Sequence, residues 1–214
     1  MKKQTTAAVI AAAMLFVTAV FAADNTNTEN TVSETAATIT AAQTDSIANA
    51  KSRGIFDNAD YDPAGIITRE KFCEFAYNML NSVKELPAPE LSESQFDDTA
   101  NYKINSLSFV KIINGKDTRI FAPEDNVTRE EAAVILYRCA EYAGLELPMV
   151  KVDINAADNS EISDWAVPYI YSIKVPGIIN DINGLFKPQA EYTFGETAAS
   201  LVKLQDLIKN SVKN

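Results

Sequence analysis

Two rhythms of apolar and polar positions alternate along this chain, and each occurs three times. The first is clearest in DWAVPYIYSIKVPGIIN, where Trp165, Ile170, Ile173, Gly177 and Ile178 mark the pattern. In TANYKINSLSFVKIING the matching positions are Ile104, Leu107, Ile112 and Ile113, and in AAQTDSIANAKSRGIFD they are Ile47, Ala50, Gly54, Ile55 and Phe56. Spacings of three and four predict a short helix, and the Gly-Ile step reads as its stop. Pro176, just before that step, weakens the last turn of the third copy.

The second rhythm follows each copy of the first. YDPAGIITREK (61–71), FAPEDNVTREE (121–131) and FKPQAEYTFGE (186–196) each place an aromatic two residues before proline and seven before threonine. Thr68, Thr128 and Thr193 are natural N-caps, and Glu131 and Glu196 complete capping boxes that Lys71 cannot. Helical stripes follow: Phe72, Phe75, Ala76 and Met79; Ala132, Ile135, Leu136 and Cys139; Thr197, Ser200, Leu201 and Leu204. Tyr61, Phe121 and Phe186 are expected to anchor the turn against the helices. The unit therefore reads as helix, turn, extended aromatic-proline segment, helix. Three such units are predicted, over 42–84, 95–144 and 152–210, separated by the proline-bearing joints ELPAPELSES and GLELPMVK. One unit cannot bury a stable core alone; three can, with the long helices in a shared bundle and the short ones around it.

Residues 1–22 carry Lys2 and Lys3, an apolar run and a small-x-small site at Val20-Phe21-Ala22, the pattern of a cleaved secretory signal. Residues 23–41, rich in Thr, Asn, Ala and Glu, lack the large apolar side chains that offset ordering entropy and read as a disordered leader. No later stretch is apolar enough to span a bilayer, so no membrane span is expected in the mature chain. Loss of Lys2 and Lys3 leaves 17 basic side chains against 29 acidic, a formal charge of −12. Such a chain has no general positive field for nucleic acid, so an anionic polymer would need a few placed cations.

Histidine is absent, which removes the usual general base and the commonest zinc ligand. There is no Gly-x-Ser-x-Gly elbow or Gly-rich phosphate loop, and the carboxylates read as surface, cap or turn, so no enzyme activity and no cofactor are expected. DNADYD (57–62) and DINAADNSE (153–161) gather oxygen ligands but lack the EF-hand glycine and terminal glutamate, so no metal site is expected. Cys73 and Cys139 lie among apolar neighbours on helices, and whether they are bonded is left open.

Phe96-Asp97-Asp98, Trp165-Ala166, Gly177-Ile178, Phe121-x-Pro123 and Val127-Thr128-Arg129-Glu130-Glu131 together resemble the S-layer homology (SLH) repeat, over roughly residues 42–209. The resemblance implies a mainly α fold: three helix-turn-helix repeats in a pseudo-threefold arrangement around a central three-helix bundle. It implies non-covalent attachment to the bacterial cell wall, by binding secondary cell-wall polysaccharide, often pyruvylated, or peptidoglycan in grooves between repeats. Arg69 and Arg129 match the family's motif arginine and become candidate ligands for a sugar carboxylate. Trp165 is the surviving family tryptophan, as a sugar platform or a core wedge, with Thr99 and Ala42 in its place elsewhere. Asn114 and Gly115 keep the family loop, which in the third copy reads Asn180-Asp181. Helix N-termini would add donors. Phe194 replaces the third arginine, so at most two competent grooves are expected. Further partners would be S-layer or envelope proteins. The competing expectation is a degenerate module acting as a protein-interaction or structural component of the envelope, without polysaccharide binding.

Overall fold

The computed structural model describes residues 41–90, 94–148 and 157–211. The expected export signal, the leader before Ala41 and the first residues of the third expected unit lie outside them. Residues 41–52 are helical (α1). Then follow α2 (Arg69–Asn81), α3 (Tyr102–Phe109), α4 (Arg129–Ala143), α5 (Val167–Lys174) and α6 (Phe194–Ser211). The fold is mainly α; strand pairing among the described residues is limited to isolated bridges.

The helices start where the caps predict. Thr68 accepts from the Lys71 amide at 3.3 Å. Thr128 and Glu131 form a complete capping box, and Glu196 closes another onto the Thr193 amide at 3.1 Å. In the first segment Lys71 instead bonds Glu74 at 2.9 Å.

The short helices stop on a shared turn. Gly54 and Gly177 adopt φ of 70° and 71°, and the following Ile55 and Ile178 amides donate back to Ala50 and Ile173. Lys111 takes the matching place in the second segment at φ 63°, with Ile112 donating to Leu107. A side chain in that region carries strain that glycine avoids.

The long helices α2, α4 and α6 pack against one another in all three pairings. Every position of the three predicted stripes is buried. The polar members on α6 are satisfied: Thr197 donates to the Thr193 carbonyl, Ser200 to Thr197, and Gln205 to the Ser82 hydroxyl at 2.8 Å. The pairing of short with long helices differs from three self-contained hairpins. α3 packs on α2 and α5 on α4, so each short helix docks on the long helix of the preceding segment. α1 docks likewise on α6, where the Arg53 guanidinium meets Asp206 and Gln205.

These stretches meet in a closed cycle. The Ile67 amide donates to the Tyr192 carbonyl at 3.0 Å, Tyr192 to Val127 at 2.7 Å, and Val127 to Ile67 at 3.3 Å. Ile67, Val127 and Tyr192 are all buried, so the ring satisfies backbone groups that water cannot reach.

Candidate functional site

Each long helix begins against the loop of the next segment. The Arg69 and Glu70 amides donate to Asp125 and Pro123, the Arg129 and Glu130 amides to Ala190 and Pro188, and the Phe194 and Gly195 amides to Gly65 and Pro63. With the third amide held by the cap threonine, the first-turn amides of these three long helices are already bonded within the protein. The expectation that helix N-termini add donors therefore does not hold for these three.

The side chains repeat the cycle. Arg69 lies over the Phe121 ring at 5.0 Å and donates from Nε to the Phe121 carbonyl at 3.1 Å and from Nη2 to Asn114 at 2.8 Å. Arg129 lies over Phe186 at 5.3 Å, donating to the Phe186 carbonyl at 2.7 Å and to Asn180 at 2.9 Å, while Nη1 contacts Glu196. Phe194 stacks on Tyr61 at 4.5 Å in the corresponding place, within a cluster that includes Phe56 and Phe75. The two arginines are therefore buried ties between segments, 6% and 2% exposed.

Two carboxylates to which the sequence alone assigned no loop-holding role, Asp98 and Asp158, hold the aromatic loops. Asp98 accepts from the Phe121 and Ala122 amides, and Asp158 from Phe186 and Lys187, between 2.6 and 3.1 Å. Desolvation pushes both carboxyls up, but the backbone donors outweigh it and hold them below the usual carboxylate range. The only earlier signal was Phe96-Asp97-Asp98 in the second segment. Asp158 belongs to the acidic run 153–161, of which residues 153–156 lie outside the described residues. Asp57 and Asp62 in the other cluster serve turn bonds, to Ala59, Tyr61 and Ala64.

One groove of about 370 Å³ collects four of the five candidate residues: Arg69 from the first segment, Asn114 and Gly115 from the second, and Trp165 from the third. Lys116, Glu131 and Arg138 complete its charged lining. Trp165 is 51% exposed, too open for a core wedge, and lines this groove. Glu130 accepts from the Ser163 amide at 3.1 Å and hydroxyl at 2.8 Å just before α5. Gly115 has a steric reason to be glycine: an added Cβ would lie 2.5 Å from the Ile120 carbonyl and 3.0 Å from the Phe96 ring.

The fifth candidate, Arg129, lines a second groove of about 450 Å³. Ala42, the sequence counterpart of Trp165, is among its lining residues, and Asp181 and Glu196 bring two carboxylates to one arginine. Lys174 is engaged with Asp181 at 2.6 Å. The matching third position is closed by the Phe194 stack. The two thiols are free and buried; burial pushes Cys73 up to about 12 and Cys139 likewise upward.

Residues 111–133 match the S-layer homology domain model. The match runs from the turn after α3, through Asn114, Gly115 and the aromatic-proline stretch, into the first turns of α4. Three enzymes are similar over longer stretches. An amylopullulanase of Thermoanaerobacterium thermosulfurigenes is 29% identical over 151 residues, covering 69% of this chain and 8% of its own length. Exoglucanase XynX of Acetivibrio thermocellus is 29% identical over 157 residues, 72% of this chain and 14% of its own. An endoglucanase of Bacillus sp. (strain KSM-635) is 27% identical over 145 residues, 64% and 15%. This chain thus spans only 8–15% of the length of these relatives. No helix among the described residues is long and apolar enough to cross a membrane.

Proposed function

Because the chain carries an S-layer homology domain, we propose that it attaches non-covalently to the bacterial cell wall by binding secondary cell-wall polysaccharide or peptidoglycan. The observation that carries this reading is the groove in which Arg69, Asn114, Gly115 and Trp165 meet from three different segments. A half-exposed indole can lie against a sugar ring while the cationic lining attracts an acidic substituent such as a pyruvyl carboxylate. Two more cations than carboxylates line this groove, in a chain whose formal charge is −10.

In this reading residues 42–84, 95–144 and 152–210 are three S-layer homology repeats related by a pseudo-threefold axis. The hydrogen-bond ring through Ile67, Val127 and Tyr192 supports it. One groove is competent for an anionic polymer. The Arg129 groove is compensated by its carboxylates, and Phe194 fills the third. The role is anchoring rather than catalysis, at the cell surface after export, with S-layer or envelope proteins as further partners.

The test is cosedimentation with purified Gram-positive sacculi, intact and stripped of secondary polysaccharide. Arg69→Ala would disturb the fold, so the informative variant is Trp165→Ala on the exposed groove edge. Binding to intact sacculi, weakened about tenfold or more by Trp165→Ala, supports the groove. Loss of binding on stripping identifies the polysaccharide as the target, and retention identifies peptidoglycan. Full binding by a folded Trp165→Ala protein contradicts the groove. Absence of binding to either sacculus favours a protein-interaction role.

A further inference from the structure

Among the described residues, one cation in the Arg69 groove has no counter-charge within ion-pair distance. Arg138, on α4, donates from Nη1 to the Ile112 carbonyl at 3.3 Å and lies 5.8 Å from the centre of the Tyr169 ring. The other cations are compensated. Arg69 is 3.8 Å from Glu131, and Lys116 is 3.0 Å from Asp125 and 3.6 Å from Glu131. Glu131 also receives the Thr128 amide. Among the described residues Arg138 has no carboxylate partner, and its Nε and Nη2 donors have no protein acceptor.

The other segments show that the fold does not need this charge. Asn78 stands nine residues after Arg69, as Arg138 stands nine after Arg129. Its Nδ2 donates to the Ile55 carbonyl at 2.9 Å, the same bond to the same turn made by a neutral side chain. Lys203 holds the matching place on α6; it is exposed and does not line the Arg129 groove. An uncompensated guanidinium therefore occurs at this place only in the groove that also has Trp165.

We propose that Arg138 is the residue that contacts the anionic group of a saccharide in this groove and sets its preference for acidic over neutral sugars. The Nε–Nη2 edge is the fork that pairs with a carboxylate or phosphate in two parallel bonds. Arg69 then acts as a positioning residue, holding the Asn114 carbonyl and the Phe121 ring in place. The inference rests on the groove being the saccharide site.

Arg138→Asn tests it, because the Asn78 bond shows how asparagine keeps the turn while removing the charge. Binding to intact sacculi is measured over a series of NaCl concentrations for wild type, Arg138→Asn and Arg138→Lys, each normalised to folded protein by circular dichroism. A second probe pair is a 4,6-carboxyethylidene hexoside and its methyl ester, with a hexose phosphate as the alternative anion. Arg138→Asn is expected to weaken sacculus binding about tenfold and to flatten its salt dependence. Arg138→Lys should keep the salt dependence while losing affinity, since an ammonium cannot form the fork. The wild type should prefer the free acid or the phosphate to the ester, and Arg138→Asn should not discriminate. Wild-type affinity and salt dependence in Arg138→Asn overturn the inference while leaving the groove reading intact. Failure of the wild type to bind sacculi overturns the groove reading, and this inference with it.

Discussion

Arg129 is held on two sides by Phe186: its guanidinium lies 5.3 Å from the ring centre, and its Nε donates to the Phe186 carbonyl at 2.7 Å. With Asn180 and Glu196 it ties α4 to the third segment by three directions at once. Arg129→Ala would leave the buried Glu196 contact and two carbonyls without their donor, at a cost of about 3–5 kcal/mol. Arg129→Lys should recover little, since an ammonium cannot serve three planar directions. Urea unfolding monitored by circular dichroism checks both; a loss under about 1 kcal/mol for the alanine variant would contradict the tie.

The loop clamps give the acid limb of stability. Asp98 and Asp158 have folded-state pKa values below their unfolded ones, so the unfolded chain binds more protons as pH falls. Their contribution is present above the unfolded value of about 4 and is lost as pH drops through the folded value. Asp98→Asn plus Asp158→Asn should lower stability at pH 7 and flatten its fall below about pH 4. Melting temperatures from pH 2 to 7 test this, and an acid limb as steep as wild type counts against it.

Much of this was legible in the chain because it is local. Thr128 with Glu131, the stripe from Ala132 to Cys139 and the Gly177-Ile178 stop each declare themselves within a few residues, by capping chemistry or helical spacing. The ties between segments were not legible, because their acceptors are backbone carbonyls such as those of Phe121, Asn114 and Asn180. A carbonyl acceptor leaves no mark in the choice of residue. For the same reason the part that Arg69 and Arg129 play in tying segments together was hidden. Docking of α3 on α2 and α5 on α4 was equally hidden, since an apolar stripe does not name its partner helix. Trp165 was legible as a candidate, and the groove puts it beside three of the other candidates.

Lys111 offers a stabilising change. It holds φ 63° where the other two short helices use glycine, and its side chain is exposed. Lys111→Gly removes a strain of about 1–2 kcal/mol, offset in part by the greater freedom of glycine in the unfolded chain. A net gain of up to about 1 kcal/mol is expected in chemical denaturation; a loss would contradict the strained turn.

The thiols should be silent in the native protein. Cys73 and Cys139 are buried and unbonded, and their raised pKa values keep them as thiols at pH 8. A colorimetric disulfide reagent should label neither within minutes in buffer and both in guanidinium. Rapid native labelling, or fewer than two free thiols after unfolding, would contradict the packing.

The anchoring account rests most directly on the side chain at the groove edge, and the chain has a single tryptophan. Its fluorescence therefore reports Trp165 alone. Titration with soluble polysaccharide released from Gram-positive sacculi should shift or quench the emission saturably, and added salt should weaken the response as the cationic lining is screened. Tight binding to intact sacculi with no change in Trp165 emission would place the wall contact elsewhere on the molecule and contradict the account.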